Sequence, residues 1–355
     1  MDIEFHYYMT YLIAVRSGLS TGAAATIAQS AQEVDDNHIP ISVSQGTPQA
    51  YESVITQTMN ILRPKHNERI YPVFHFIPGD PRAPSAKRRD ASSSLWVTTP
   101  NSDLANELLD MAIQSDNLYR IGASSHAFAD TWAHQNFLGR DDPLNEMPPE
   151  TVVERVENVL ELMRIGHALA GHLPDIPSLI WTDGRLIEPE VDNTARFMDA
   201  ADHLYRKLAK YKDPNISPTL LDSSSASLIA DLRSDIGPAI RNAKAADPDR
   251  IARYKQRALK PDYGGGPIPE YVEAKWADAA FNEARESFGQ QIEIMAAERA
   301  GLIGDALAAG THISCTWKDP TQRSETDWYK FQEAIRIHLD ECWQVLTKRL
   351  PDLAQ

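Results

Sequence analysis

The amino-acid sequence predicts an all-α protein, folded as a compact multi-helix bundle. Apolar residues recur at helical spacing along most of the 355 residues, and that period is the primary signal of amphipathic helices. No segment shows the sustained alternation of apolar and polar residues that is typical of a half-buried strand.

The helices are predicted in order from this spacing and from their capping residues. Ser20 is a suitable N-cap for the second helix, and Pro64 is expected to end the third. A proline-rich irregular region then reaches residue 100, before a helical stretch that Asn101 or Ser102 caps. The predicted helical ranges are 3–17, 20–34, 48–62, 101–137 with its weakest point near 115–117, 149–172, 191–211, 223–244, 268–308 and 325–349.

Chain length and charge restrict the organisation and the partners. We expect a metal-binding helical core over residues 1–175 and a helical C-terminal part over 176–355 packed on it, with a single domain as the alternative. The net charge of -15 opposes binding of long nucleic acids and anionic membranes. A small anionic substrate remains compatible with this charge, because a bound metal reverses the local sign.

The N-terminus and the cysteines indicate the compartment. Asp2, Glu4 and His6 interrupt the N-terminal segment early, so it lacks the pattern of a signal peptide. No stretch approaches the roughly 20 apolar residues of a membrane span. With two cysteines only, a disulfide framework is not expected. The sequence therefore predicts a cytoplasmic protein without a membrane span; it does not indicate an oligomeric state.

The segment HAFADTWAHQNF, residues 126–137, carries the clearest chemical signal. His126, Asp130 and His134 are spaced by four, so they drift by only about 80° around a helix axis and share one face. Imidazole nitrogens and a carboxylate on one face suit zinc, iron or manganese. The alternative is a polar stripe whose histidines are satisfied by ordinary hydrogen bonds.

Three residues on one helix rarely complete a metal site, so further ligands are expected from other segments. His6 lies in an aromatic helix, where it is a ligand or a hydrogen-bonded core histidine. Asp35 is in register with the alanine face of the second helix, where a buried carboxylate needs a partner such as a metal. The alternative is that Asp35 and Asp36 face water. His75, in the apolar segment YPVFHFIPGDP, is either a ligand or a packing residue.

Two further histidines follow in the segment RIGHALAGHLPD. His167 is predicted to lie inside a helix and could complete a further metal site with His134. His172 and Asp175 come near the end of that helix. The helix dipole alone explains a C-terminal histidine, so whether either residue is a ligand stays open.

Basic residues are concentrated around His75 in this otherwise acidic chain. If this region borders a metal site, it could collect an anionic or phosphorylated substrate; the alternative is a solvated loop. The residues are Arg63, Lys65, Arg69, Arg82, Lys87, Arg88 and Arg89.

The order of the candidate ligands resembles that of the zinc-dependent phospholipase C and fungal single-strand nuclease superfamily. The resemblance implies an all-α fold with a trinuclear zinc cluster that hydrolyses phosphoester bonds. By position, it implies that His6 is the ligand of the N-terminal helix, and that Asp35 or Asp36 and His75 bind the paired metals. The segments HYY, FHFIPGDP and ADTWAHQNF also resemble a bacterial family of uncharacterised proteins.

The same resemblance assigns the later ligands. His126 and Asp130 match its His-x-x-x-Asp motif, in which the carboxylate bridges two metals, and His134 and His167 match ligands of the third metal. The chain departs from the superfamily in the short gap between Asp130 and His134. It also departs after His167, where Gly171 replaces the glutamate of a His-x-x-x-Glu motif.

The sequence thus predicts a metal-dependent hydrolase of a small phosphoester, with two or three zinc ions, although iron or manganese would also suit the ligands. Asp130 would bridge two ions, and Asp35 or Asp36 would ligate or act as general base. One alternative is a helical iron or manganese oxidoreductase. Another is a non-catalytic interaction protein with a structural metal, which a closed coordination shell would favour.

Overall fold

The computed structural model describes residues 1–57, 64–148, 164–245, 247–282 and 313–350. Helices of all types account for 55% of the structure, and strands together with isolated β-bridges for 10%. The strands form one four-stranded and one two-stranded sheet. The prediction of an all-α protein is therefore wrong: the fold is mixed, although helices dominate it.

The helices and the strands are each numbered in the order in which they occur along the chain. A π-helical segment, Glu4–Met9, leads directly into the first α-helix. The α-helices are α1 (Thr10–Arg16), α2 (Thr21–Asp36), α3 (Pro64–Phe74), α4 (Asp103–Gln114), α5 (Leu118–Ala133), α6 (Asn193–Lys212), α7 (Pro218–Ile236), α8 (Arg250–Ala258), α9 (Lys275–Ala280) and α10 (Asp327–Arg349). The strands are β1 (Ile41–Val43), β2 (Tyr51–Glu52), β3 (Ile180–Thr182), β4 (Glu190–Asp192), β5 (Phe281–Asn282) and β6 (Ile313–Trp317).

Side-chain caps confirm several of the predicted helix starts. The Ser20 hydroxyl accepts a hydrogen bond from the backbone N–H of Ala23 at 3.2 Å, before α2. The Ser102 hydroxyl accepts one from Ala105 at 3.1 Å, before α4. Asn117 caps α5 and so separates it from α4, where the sequence signal is weakest. Such caps satisfy backbone donors that have no partner within the helix.

The predicted helix over residues 48–62 is wrong in its described part, where Tyr51 and Glu52 form β2; residues 58–62 lie outside the described residues. Pro64 does not end a helix but begins α3. Proline is well suited to this position, because the first turn of a helix has no partner for its N–H groups. Of the predicted helices over 149–172 and 268–308, residues 149–163 and 283–312 lie outside the described residues.

The strands escaped prediction because five of the six are only two or three residues long, and because the longest, β6, pairs with β1 across most of the chain. β1 pairs antiparallel with β2 and parallel with β6, so that Ile41 lies opposite Ile313. Two or three residues cannot display an alternating pattern, and the distance in sequence between β1 and β6 leaves no local turn signal for their pairing.

The chain divides into two compact units. The first comprises Met1–Gln32 and Phe74–Glu270, and the second comprises Glu33–Val73 and Tyr271–Gln355. The predicted boundary after residue 175 falls inside the first unit. The second unit contains the four-stranded sheet and α10, together with packed aromatic rings from Tyr51, Phe281, Trp317 and Trp328.

Helix α5 lies in the core of the first unit. It packs against α4 and α6, and every residue from Arg120 to Ala133 is buried. A helix that is buried on all sides usually presents apolar residues all round, so the polar residues within α5 need partners. Among the described helices, none is long and apolar enough to cross a membrane.

Candidate metal centre

A glycine brings α2 and α5 into close contact beside the candidate site. A Cβ atom on Gly122 would lie 2.4 Å from the carbonyl oxygen of Ile27 and 2.5 Å from Cβ of Ser30, so only glycine fits there. One helical turn further along, His126 Nδ1 lies 2.8 Å from the carbonyl oxygen of Ala31. The close approach of the two helices therefore fixes the orientation of the His126 ring.

Four residues form what we call the Asp130 group: His6, His75, His126 and Asp130. His6 Nε2 lies 3.2 Å from Asp130 Oδ1. His126 Nε2 and His75 Nδ1 lie 3.2 Å and 3.5 Å from Asp130 Oδ2. All four residues are at most 2% exposed. The two carboxylate oxygens of Asp130 thus face different imidazoles.

The spacing of these donor atoms fits a metal ion. Two nitrogens bound at about 2.0–2.1 Å to one tetrahedral zinc are about 3.3 Å apart. His126 Nε2 and His75 Nδ1 are 3.2 Å apart, and the Asp130 distances from His6 and His126 are similar. The buried His6 Nδ1 also has no hydrogen-bond partner among the described residues, whereas buried polar atoms normally have one.

A second cluster, which we call the Asp175 group, consists of His134, His167 and Asp175. His134 Nε2 lies 3.6 Å from Asp175 Oδ1, and His167 Nε2 lies 3.6 Å from Asp175 Oδ2. Within the described part of the chain, the buried atom His134 Nε2 has no hydrogen-bond partner. The His167 side chain is 22% exposed, so this group is closer to solvent than the Asp130 group.

Main-chain carbonyls orient three of the histidines. His126 Nδ1 lies 2.8 Å from the Ala31 oxygen, His134 Nδ1 lies 2.8 Å from the His75 oxygen, and His167 Nδ1 lies 2.9 Å from the Gly171 oxygen. An N–H that donates from Nδ1 leaves the Nε2 lone pair available, and Nε2 of each ring lies within 3.6 Å of a buried carboxylate oxygen. His134 Nδ1 also lies 3.5 Å from Asp130 Oδ2. Metal-binding histidines commonly donate their second N–H in this way.

The aromatic ring of Phe76 lies beside the Asp175 group. It stacks on the His134 ring at 4.5 Å and contacts the His167 ring at 5.9 Å. Gly166 has a positive φ of 56°, and a Cβ atom there would lie 2.2 Å from the Phe76 ring. The prediction that His167 lies inside a helix is therefore wrong, since glycines of positive φ flank it on both sides at positions 166 and 171.

The amino group of Met1 lies next to both carboxylates. Its nitrogen is 2.5 Å from Asp130 Oδ1 and 3.3 Å from Asp175 Oδ1. The Met1 carbonyl oxygen lies 3.0 Å from His6 Nε2. The two groups are therefore adjacent, with one cationic group near both.

Burial and neighbouring charges shift the titration of the central side chains. Burial lowers the pKa of His6, His126 and His134 to about 4 in each case, so all three are neutral near pH 7. Burial alone would raise the pKa of Asp130, but His134 and the Met1 amino group hold it well below its usual range. Neutral imidazoles and an ionised carboxylate are the forms that bind metals.

The structure brings together His6, His75, His126 and Asp130, and separately His134 with His167. Asp35 and Asp36 are half-buried in the second unit, where the Tyr271 hydroxyl donates a hydrogen bond to Asp36. Their roles as ligands or general base stay predictions.

The sequence left His172 and Asp175 undecided, and the two differ in the structure. His172 is exposed, whereas Asp175 is buried and lies between two imidazoles. The only local signal for Asp175 was its position just after a pair of histidines.

The described basic residues around His75 differ in their local surroundings. Arg82 pairs with Asp80 at 3.0 Å. Arg88 is buried and donates to the carbonyl oxygens of Leu144 and Asn136. Arg69 belongs to the second unit, where it pairs with Asp340. A role of this region in collecting an anionic substrate stays a prediction.

The comparisons with known proteins give one positive result. No curated protein and no solved structure matches the chain. The model of a family described as a family of unknown function (DUF6765) matches residues 1–346. Because that match covers nearly the entire sequence, the chain belongs to the DUF6765 family.

Proposed function

We propose that the protein is a metal-dependent hydrolase that acts on a small phosphoester. One observation carries the proposal: His126, His134 and His167 each direct Nδ1 at a main-chain carbonyl and Nε2 at a buried carboxylate. This arrangement provides oriented, neutral donors beside negative charge, which is the chemistry that zinc and related ions require.

Each group would hold at least one ion. The Asp130 group offers nitrogens from three imidazoles, and Asp130 presents its two oxygens to different imidazoles, which suits a carboxylate that bridges two ions. The Asp175 group offers two nitrogens and a carboxylate. Bound ions would lower the pKa of a bound water molecule to ~7, and they would neutralise negative charge on the phosphoryl oxygens.

The surroundings of the two groups indicate how a substrate would reach the metal centre. The buried Asp130 group has little contact with solvent, whereas His167 is 22% exposed, so a substrate would approach from the side of the Asp175 group. Phe76 stacks on His134 and keeps water from one face of its ring. A phosphoester is the favoured substrate because paired metal sites stabilise both the attacking and the leaving oxygen.

The burial of the Asp130 group supports a second candidate, a non-catalytic protein with a structural metal. Structural metal sites are closed by protein ligands, whereas catalytic sites keep an open position. The same ligands would also serve an iron or manganese oxidoreductase, so the experiment has to separate three outcomes.

The test combines metal analysis with activity. Wild-type protein and the His126→Ala and Asp130→Ala variants are purified without chelators, with His203→Ala as the control, because His203 is a partly exposed histidine outside both groups. We expect two or more transition-metal ions per wild-type chain and per control chain, and fewer in the two variants. Equal metal content in all four proteins would refute the assignment.

Activity is then measured on phosphomonoesters, phosphodiesters, nucleotides and phospholipids with zinc, manganese and iron(II) separately. Turnover of a small phosphoester that the Asp130→Ala variant lacks supports the hydrolase. Oxygen consumption by the iron-loaded protein without any phosphoester turnover would favour the oxidoreductase. Bound metal without activity of either kind would favour the structural site.

A further inference from the structure

A buried ion pair holds the segment that carries His6. Arg250 Nε lies 2.8 Å from Glu4 Oε2, and Arg250 Nη2 lies 2.7 Å from Glu4 Oε1. Both residues are buried, at 7% exposure for Glu4 and 4% for Arg250. The planar guanidinium therefore makes a bidentate contact with the carboxylate, through two parallel hydrogen bonds. This geometry fixes the orientation of the two side chains as well as their separation.

Two neighbours complete the contact, one from α8 and one from the loop that precedes β3. The Tyr254 hydroxyl, on α8, donates to Glu4 Oε2 at 3.1 Å. Arg250 Nη1 donates to the Ser178 hydroxyl at 3.2 Å. Glu4 thus accepts hydrogen bonds from two residues of one helix, and Arg250 is itself held by a third residue.

Glu4 and His6 belong to the same π-helical segment, Glu4–Met9. His6 reaches Asp130 from this segment, with Nε2 3.2 Å from Asp130 Oδ1 and its ring stacked on that of His126 at 3.7 Å. A π-helical turn is rarer and less regular than an α-helical one and often accompanies functional sites. An anchor outside the segment would hold His6 in this direction.

We propose that Arg250 and Glu4 are positioning residues that hold His6 in place for metal binding; this inference rests on the proposed metal centre. The contact is poorly explained by stability alone, because a buried ion pair is often no more stabilising than apolar residues of the same size. It also occupies both oxygens of Glu4, a carboxylate two residues from His6 that would otherwise compete for a metal.

The experiment uses the full-length protein loaded with Co²⁺, whose visible absorption reports the geometry of its ligands. Arg250→Lys keeps the charge but loses the two-pronged contact. Tyr254→Phe removes a single hydrogen bond and is the milder variant. The matched control is Arg257→Lys, because Arg257 lies on the same helix and makes a similar buried pair with Asp235, with contacts of 2.8 Å from Nε and 2.8 Å from Nη2.

We expect Arg250→Lys to weaken Co²⁺ binding by about tenfold or more and to alter the Co²⁺ spectrum, with Tyr254→Phe changing both in the same direction by a smaller factor. Arg257→Lys should lower the unfolding midpoint without altering the spectrum. In a His6→Ala background, Arg250→Lys should cause little further loss of affinity, since the two changes act through one ligand.

Two results would overturn the inference in distinguishable ways. A wild-type spectrum and affinity in Arg250→Lys, or in Tyr254→Phe if Arg250→Lys does not fold, would leave the ion pair with a purely structural role. Failure of the wild-type protein itself to bind Co²⁺ would remove the metal centre and the positioning role together.

Discussion

The contact between α2 and α5 at Gly122 gives a sharp test of how the site is built. In Gly122→Ala the new Cβ atom would lie 2.4 Å from the Ile27 carbonyl oxygen, and ordinary contacts begin near 3.4 Å. The obstacle is backbone, so α2 must move away by about 1 Å. Overpacking of this kind costs about 1–3 kcal/mol of unfolding free energy.

The same movement should reach the metal centre. His126 Nδ1 lies 2.8 Å from the Ala31 oxygen, and a displacement of about 1 Å would exceed hydrogen-bond range. Loss of such an orienting contact typically lowers metal affinity by about 10–100-fold. Zinc affinity by competition with a chromogenic chelator, and urea unfolding of the metal-free protein, measure the two effects separately.

Gly22→Ala is the matched control. Gly22 lies on α2, the helix that Gly122 contacts from α5, and a Cβ atom there would meet no neighbouring atom within 4 Å. Alanine should therefore leave zinc affinity unchanged and stabilise the helix by up to about 1 kcal/mol. If Gly122→Ala behaves like Gly22→Ala in both assays, the close approach of the helices does not orient His126.

Three further predictions concern single groups of the first unit. Asp130→Ala should lower the metal content of purified protein more than His134→Ala, because the Asp130 oxygens face different imidazoles; equal losses would remove the bridging role. The metal-free protein should lose stability as pH falls from about 6.5 to about 4, because His6, His126 and His134 stay neutral with a pKa of about 4 while the unfolded chain takes up protons. The loss is at most about 4 kcal/mol per pH unit for the three together, and a flat urea midpoint across this range would contradict it. Asn145→Ala should lower the free energy of unfolding by about 3 kcal/mol, because the two N–H groups of the buried Asn145 amide are shared among three carbonyl oxygens and its side-chain oxygen accepts from the Leu138 N–H; an unchanged midpoint would refute this.

The site was more predictable than its surroundings because one helix supplies much of it. Spacing by four is enough to predict that His126, Asp130 and His134 share a face, and α5 carries the first two in its buried length. His134 lies one residue beyond the helix, yet its backbone N–H still donates a hydrogen bond to the main-chain carbonyl oxygen of Asp130 at 2.8 Å. The local pattern therefore survives where the helix itself ends.

Long-range partners could not be predicted in the same way. In the sequence, nothing distinguishes Arg250 from the other basic residues, and only the folded structure brings it to Glu4. Asp175 follows a proline and has no periodic pattern around it. The four-stranded sheet could not be predicted for a similar reason, because β1 and β6 pair across most of the chain. Local sequence encodes the period of an element, whereas its distant partner depends on tertiary packing.

In the π-helical segment Glu4–Met9, the number of residues matters as much as their identity. One residue more or less in a helix rotates everything beyond that point by about 100° around the axis. Deletion of Tyr7 or Tyr8 would remove the extra residue of the π-helical turn, and it would rotate both Glu4 and His6 relative to α1, away from Arg250 and Asp130. Side chains such as Tyr7 can therefore be exchanged more safely than removed, and natural variation in this segment should be by substitution.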